Sequence, residues 1–484
     1  MMDNDLRAKT LKNISFNTSA KVAIFLLSAA ASVILARNLS ASDYGIVGFA
    51  MIFISFLSRF SDLGISSAVI QKDKLDEKGL YTGFMIRCTL GIAIFAICFL
   101  GAPLSKIFFE NEAIVAVIRV LSFNFMISSF TFLPSSLLTR ALNYKKLVMP
   151  EVVASIFNSL VSIVLALNGF RYWSIVLANL CAATASAIVI NLINPVKIRF
   201  HFDKKSASEL VRFGTDVFLS GIVIFIIFNA DNFIIGSVKG SKVLGYYAVA
   251  FNWGALVSGI LYATVLTVLF PTFSKMQQDR NGIKSAYLKI LQYVSFAGVL
   301  ANLTLLVISK EFLIYILGRS TQKWLPALAA LRILCIYGLV RTLLEPVGQV
   351  IMAIGRTRLL LKANLFAALI ELTLLYPALR YFGIEGVAIV VAVAYASQYF
   401  IYYPHLKRDL NLRLKELWGS VSPALYSSAA LLLIFIIFEN YISAGIITLY
   451  QKMILSLVSY SLLYGFITKW NIIKESKAFI SRYF

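Results

Sequence analysis

The sequence predicts an all-α polytopic membrane protein of about fourteen transmembrane helices, two six-helix lobes followed by two extra C-terminal helices, with both termini cytoplasmic. Three observations predict it. The 484 residues are 59% hydrophobic and 14% charged, with a mean hydropathy of +0.82, whereas soluble domains carry about a quarter charged residues. Basic residues concentrate in alternate loops, the signature of cytoplasmic segments. Two pairs of short stretches also recur in order, which points to a duplicated unit.

Apolar runs near 14–36, 44–68, 81–103, 113–138, 148–168 and 172–193 make up the first half. Runs near 210–236, 243–270, 287–309, 324–354, 358–380 and 384–404 make up the second, and 419–438 and 446–468 follow. At about 1.5 Å of rise per residue, such runs can cross roughly 30 Å of hydrocarbon. The 324–354 run exceeds that need, and Pro346 predicts a kink in it. Arg7, Lys9 and Lys12 ahead of the first run imitate a cleavable signal, but Asn17, Lys21 and Ser28 interrupt the run, so it reads as a retained span.

Lys72, Lys74 and Lys78, then Arg140, Lys145 and Lys146, then Lys197, Arg199, Lys204 and Lys205, occupy every second loop of the first half. Lys275 to Lys289, Arg356 to Lys362, Lys407 to Lys415 and the tail from Lys469 to Arg482 continue the alternation. This assigns N-in, C-in topology and accounts for the net charge of +22 without a nucleic-acid partner. Within the repeat, Gly45-Ile-Val-Gly-Phe-Ala50 is matched by Gly245-Tyr-Tyr-Ala-Val-Ala250, and the stretch from Pro134 to Lys145 by Pro346 to Thr357. The expected domains are therefore 1–193, a basic linker 194–209, a second lobe 210–404, and 405–484 with the two extra helices. The cores of those extra helices, 420–438 and 453–468, carry no ionisable groups except tyrosines and read as lipid-facing.

Catalytic chemistry finds little support. His201 and His405 are the only histidines and lie in loops, and no nucleotide-binding Walker pattern is present. Cys88, Cys98, Cys181 and Cys335 all lie in apolar runs without metal spacing and read as fillers. No loop exceeds about twenty residues, too short for a folded external domain of ordinary size. The expectation is a protein that is not an enzyme and carries no cofactor or metal.

Ionisable residues inside spans carry the functional reading, because a charge at the bilayer centre costs on the order of 3 kcal/mol and is tolerated where it faces protein or water. Lys21 shares a face with Asn17 and Ser28. Ser55, Arg59, Asp62 and Ser66 form a stripe at spacings of three and four down one predicted helix. Arg87 lies within the third span, Asp216 and Ser220 begin the seventh, and Arg341, Glu345 and Gln349 cross the tenth. Glu371 shares a face with Asn364 in the eleventh. Arg119, Arg212, Arg332 and Lys452 sit where snorkelling accounts for them.

Two readings of the set stay open. Arg59 and Asp62 can be a neutral structural pair at i,i+3, or Lys21, Arg59, Arg87 and Arg341 can be cavity cations for an anion such as phosphate, since Asp62 cannot pair with all of them. Asp62, Asp216, Glu345 and Glu371 are then candidate pairing groups or carriers of a coupling proton or sodium ion.

FSDLGISSAVIQK (60–72) after DYG (43–45), NADNFIIG with LGYYAVAFN (229–252), LFPTFSKMQQD (269–279) and WLPALAALRIL with AIGRTRLLLKANL (324–365) resemble the Wzx-type polysaccharide flippases of the MATE-like superfamily. The resemblance covers essentially the whole chain. It implies two lobes forming a V around a cationic cavity in the bacterial inner membrane. It also implies export of undecaprenyl-pyrophosphate-linked oligosaccharide for O-antigen, capsule or exopolysaccharide, with the bilayer and polysaccharide-assembly proteins as partners. A multidrug exporter or lipid II flippase of the same superfamily is the nearest alternative, and a glycan polymerase or ligase the next. An exporter of cationic drugs calls for an acidic cavity, and a polymerase for a sizeable external loop.

Overall fold

The computed structural model describes residues 4–71, 77–109, 111–141, 143–197, 199–262, 269, 272–274, 276–438 and 445–469, and every regular element among them is helical. The chain divides into two compact units, Met1–Ala248 and Val249–Phe484. The first contains α1 (Asn4–Asn38), α2 (Ala41–Asp62), α3 (Ile65–Gln71), α4 (Glu77–Gly101), a 3-10 segment Ala102–Ile107, α5 (Ala113–Arg140), α6 (Tyr144–Leu167) and α7 (Trp173–Ile193). It also holds most of α8 (Lys204–Gly254). The second contains α9 (Leu256–Leu261), α10 (Arg280–Glu311) continuing into a π-helical turn Phe312–Leu317, α11 (Leu328–Ala353), α12 (Thr357–Leu410), α13 (Leu414–Phe438) and α14 (Ile446–Ile467).

Among the described residues, eleven helices are long and apolar enough to cross a membrane, or twelve if Lys204–Ile226 and Phe228–Gly254, bent by 50°, count as one span. The expected span 210–236 and the part of 243–270 up to Gly254 both fall on α8, while the rest of the latter includes α9, and its residues 263–268 and 270 lie outside the described residues. Likewise 358–380 and 384–404 both fall on α12. Each pair is joined through a single left-handed glycine, Gly240 at φ 76° and Gly383 at φ 65°, instead of a loop. Glycine takes that conformation without the clash a Cβ would meet, so the chain turns while its neighbours stay helical.

The expected span 44–68 is not one helix either. α2 starts on a capping box, in which the Asp43 amide donates to Ser40 Oγ (3.2 Å) and the Ser40 amide to Asp43 Oδ2 (2.9 Å). It ends at Asp62, where Leu63 (φ 43°) and Gly64 (φ 70°) turn left-handed before α3 begins. The polar stripe predicted down one helix is therefore split, with Ser66 on α3. α8 packs against this turn. A Cβ on Gly64 would lie 2.3 Å from the Gly214 carbonyl oxygen, and one on Gly214 would lie 2.2 Å from that of Leu63. Above the turn, phenylalanines of α2 and α8 meet ring to ring, Phe60 with Phe218, Phe56 with Phe225, and Phe49 with Phe233. α8 itself starts on Asp203, whose Oδ2 accepts the Ser206 amide at 2.7 Å; those bonds hold its carboxyl below the ordinary range.

In the second unit, Leu291, Val294, Leu344, Val347, Ala363, Tyr402 and Leu406 belong to one core joining α10, α11 and α12. α13 and α14 add a further cluster on α10 through Val299, Leu303, Ala424, Leu431, Phe435, Tyr460 and Tyr464. The two C-terminal helices therefore bury one face in protein, while Leu433, Ile437, Ile454 and Phe466 stay exposed on the other. Lys452 does not snorkel: its Nζ lies 2.7 Å from Glu311 Oε1, with the two side chains 15% and 14% exposed. Arg332 is exposed, and its Nε donates to Ser309 Oγ at 3.0 Å.

Two expected outcomes follow from this packing. Gly214→Ala forces the α8 and α2 backbones apart and lowers stability by about 1–3 kcal/mol, the usual cost of overpacking, read as a loss of thermal stability in detergent. Lys452→Met strands the buried Glu311 carboxylate and destabilises by about 3 kcal/mol, whereas Lys452→Met with Glu311→Met recovers most of the loss.

Candidate functional site

In the first unit the end of α2 is the polar centre. The last carbonyls of any helix lack intrahelical donors and carry partial negative charge, so a cation placed there is favoured. Arg87 of α4 fills that role: it is 8% exposed, and its Nη1 donates to the Ser61 carbonyl (2.5 Å) and to Ser61 Oγ (3.1 Å). The same nitrogen lies 3.7 Å from Asp62 Oδ1, which also accepts Ser66 Oγ at 2.5 Å. Asp62 therefore pairs with Arg87 and not, as an i,i+3 pair would have it, with Arg59. Arg59 is exposed, and a Cβ on Gly221 would lie 3.9 Å from its Cδ. Lys21 on α1 is half-buried. Among the described residues neither Lys21 nor Arg59 has a carboxylate within ion-pair distance. The side chains of Asp216 and Ser220 lie outside the described residues.

The second unit holds a separate cluster. Arg341 Nε and Glu345 Oε1 are 2.9 Å apart across one turn of α11, with the side chains 21% and 15% exposed. The Tyr395 hydroxyl donates to the same Glu345 oxygen (3.1 Å), and its ring meets Tyr337 edge to face. One turn along α12, Tyr402 donates to Gln398 Oε1 (3.1 Å) and Gln398 Nε2 donates to Asn364 Oδ1 (3.4 Å). Gln349 and Glu371 are buried, 7% and 6% exposed. The structure thus separates the four cations by state: Arg87 and Arg341 are engaged by protein groups, whereas Lys21 and Arg59 have no carboxylate partner among the described residues.

Tyr395, Gln398, Tyr399 and Tyr402 escaped the reading of charged residues. Their i, i+3, i+4, i+7 spacing could have placed them on one helix face, although spacing alone does not point to Glu345. Asp231 is buried at 5% exposure and accepts the Tyr247 hydroxyl at 2.8 Å and the Asn232 side-chain amide at 2.9 Å. It ties together the two arms of α8 on either side of Gly240. Among the described residues no group of three His, Cys, Asp or Glu is placed to hold a metal ion.

The architecture is a MATE-like fold of membrane-spanning helices. Its fold is similar to "Lipid II flippase MurJ, inward closed conformation" (TM-score 0.78, 14% identity, 94% of this chain and 99% of that one). It is also similar to an inward-facing multidrug resistance MATE transporter of the MOP superfamily (TM-score 0.65, 16% identity, 82% and 98%). The chain belongs to the polysaccharide biosynthesis protein family, whose model matches residues 34–329. Similar curated proteins include the Escherichia coli lipopolysaccharide biosynthesis protein WzxC (25% identical, 75% of this chain and 73% of that one) and the Bacillus subtilis teichuronic acid biosynthesis protein TuaB (24%, 76% and 76%). The protein is a multi-pass protein of the bacterial inner membrane.

The two kinds of cation predict opposite phenotypes. Arg87→Ala leaves the α2 carbonyls and Asp62 without their donor and costs about 3 kcal/mol, whereas Arg59→Ala changes stability by less than about 0.5 kcal/mol. Thermal unfolding of the two purified variants in detergent distinguishes them.

Proposed function

We propose that the protein is a flippase that moves undecaprenyl-pyrophosphate-linked oligosaccharide from the cytoplasmic to the periplasmic face of the inner membrane for surface polysaccharide assembly. The observation that carries the reading is the pair of cations, Lys21 and Arg59, without a carboxylate partner among the described residues, on the first two helices of a polysaccharide-biosynthesis chain. A cation without a carboxylate is costly in a membrane unless a ligand or water meets it. A pyrophosphate suits it: guanidinium supplies a bidentate fork for phosphate oxygens and ammonium a point charge. The names of the relatives, which speak of lipopolysaccharide, teichuronic acid and succinoglycan biosynthesis, agree with a glycan cargo.

In this mechanism Lys21 and Arg59 hold the pyrophosphate while the sugars follow a polar route and the polyprenyl chain stays in lipid. The two repeats alternate access from one face to the other, in lobes 1–193 and 210–404. Arg341, with Glu345 as its resting partner, offers a second anion contact once Glu345 is displaced or protonated. Coupling to a proton or sodium ion would fall to Asp62, Asp216, Glu345 or Glu371.

Translocation of a fluorescent undecaprenyl-pyrophosphate oligosaccharide in proteoliposomes tests the reading. Arg59→Ala is expected to slow transfer at least tenfold with unchanged thermal stability, and Arg59→Lys to retain part of it. Full-rate transfer by a Lys21→Ala, Arg59→Ala variant would overturn the assignment of the cations.

A further inference from the structure

The Arg341–Glu345 pair of the second unit is turned away from the apolar faces of its helices, yet it is not closed off. The large exposed apolar side chains of α11 (Ile336) and of the second arm of α12 (Ile389, Val393 and Phe400) mark the sides suited to hydrocarbon. At about 100° per residue, Arg341 and Glu345 fall on the opposite side of α11, and Tyr395 with Gln398 on the opposite side of α12. Even there, Arg341, Glu345 and Tyr395 are only partly buried. Polar groups left open away from the apolar face are where a polar ligand can reach.

The bonds of the pair also leave chemistry unused. Among the described residues Arg341 engages Nε alone and Glu345 engages Oε1 alone, which also accepts the Tyr395 hydroxyl. Two Nη donors and the Oε2 acceptor remain side by side. Their charges cancel while the pair holds, so it draws neither a phosphate nor a cation strongly. A sugar hydroxyl is donor and acceptor at once, and two neighbouring hydroxyls match a guanidinium edge beside a carboxylate oxygen. Aromatic rings complete the match, because the C–H bonds on one face of a pyranose pack on the electron-rich face of a ring. Tyr395 and Tyr337 stand edge to face at 5.5 Å, and one turn on, the half-buried Tyr399 stacks with Tyr403 at 5.8 Å. Behind them the Tyr402–Gln398 and Gln398–Asn364 bonds tie the two arms of α12 together. The rings are therefore held in place before a ligand arrives.

We propose that Arg341, Glu345, Tyr395 and Tyr399 form a subsite for an uncharged pyranose of the cargo. The subsite rests on the transport reading above and deepens it. Lys21 and Arg59 of the first unit meet the pyrophosphate, which is the same whatever glycan it carries, and the second unit reads the sugar through the configuration of its hydroxyls.

Saturation-transfer NMR on the full chain in nanodiscs tests the subsite without any translocation. The probes are the methyl glycosides of glucose, galactose, mannose and N-acetylglucosamine at millimolar concentration. At least one is expected to receive saturation at its ring C–H protons, and inorganic pyrophosphate is expected not to displace it. Tyr395→Leu is expected to weaken binding about tenfold, the worth of one packed ring, while Tyr395→Phe keeps most of it. Thermal unfolding checks that the variants fold, and Tyr399→Leu is read in place of a Tyr395→Leu protein that does not. Transfer to none of the glycosides, displacement by pyrophosphate, or equal binding by the leucine variant would overturn the subsite. Glycoside binding by a protein that translocates no glycolipid removes the transport reading alone; translocation without glycoside binding removes the subsite alone.

Discussion

In the hydrocarbon layer a backbone group without a partner costs several kcal/mol, because no water is at hand to replace it, and the end of α2 shows how the chain meets that cost. The helix stops inside the apolar run at Leu63 and Gly64, and its freed carbonyls would be stranded there. Arg87 supplies the donor from the neighbouring helix, and Asp62 neutralises much of the charge that Arg87 brings. The close approach of Gly214 then seals the turn against α8. One break in one helix thereby determines which arginine is structural, which carboxylate it consumes, and where α8 lies.

The same logic runs through the rest of the first unit. The two arms of α8 part at Gly240 but are tied by the Asp231 carboxylate and the Tyr247 hydroxyl. Asp43 caps α2 through Ser40 and also lies 3.3 Å from the guanidinium of Arg171, a residue of the α6–α7 connection. Each intramembrane polar group accounted for in this way is withdrawn from the proposed transport chemistry, and the cations without a carboxylate partner among the described residues gain meaning by that subtraction. Arg341 occupies an intermediate position, since its partner Glu345 is shared with Tyr395 and lies on the same helix.

Much of this was legible in the residues. The hydrophobic runs, the alternation of basic loops, the repeat and the membership of the polysaccharide family could all be read without coordinates, because they depend on composition and local order. Arg59 and Asp62 could be recognised as out of place in an apolar run, but their pairing could not. Their i,i+3 spacing suits an ion pair, but the span read as 44–68 contains Gly64, where the helix stops. Lys452 looked like an interfacial lysine because Glu311, its partner, is far away in sequence and close only after α14 packs on α10. Tyr395 carried no charge to draw attention to it.

By itself, then, the sequence determined the class of protein, its lipid environment and the short list of charged residues inside spans. These follow from the free energy of transferring side chains out of water, which is a property of each residue and its near neighbours. Only the tertiary structure decided which of the described charges are paired, where helices break without a loop, and that Gly45 lies against Ser241 and Gly245 against Ala41. Those outcomes depend on distances between residues far apart in the chain, set by how closely backbones can approach, and no local pattern encodes them.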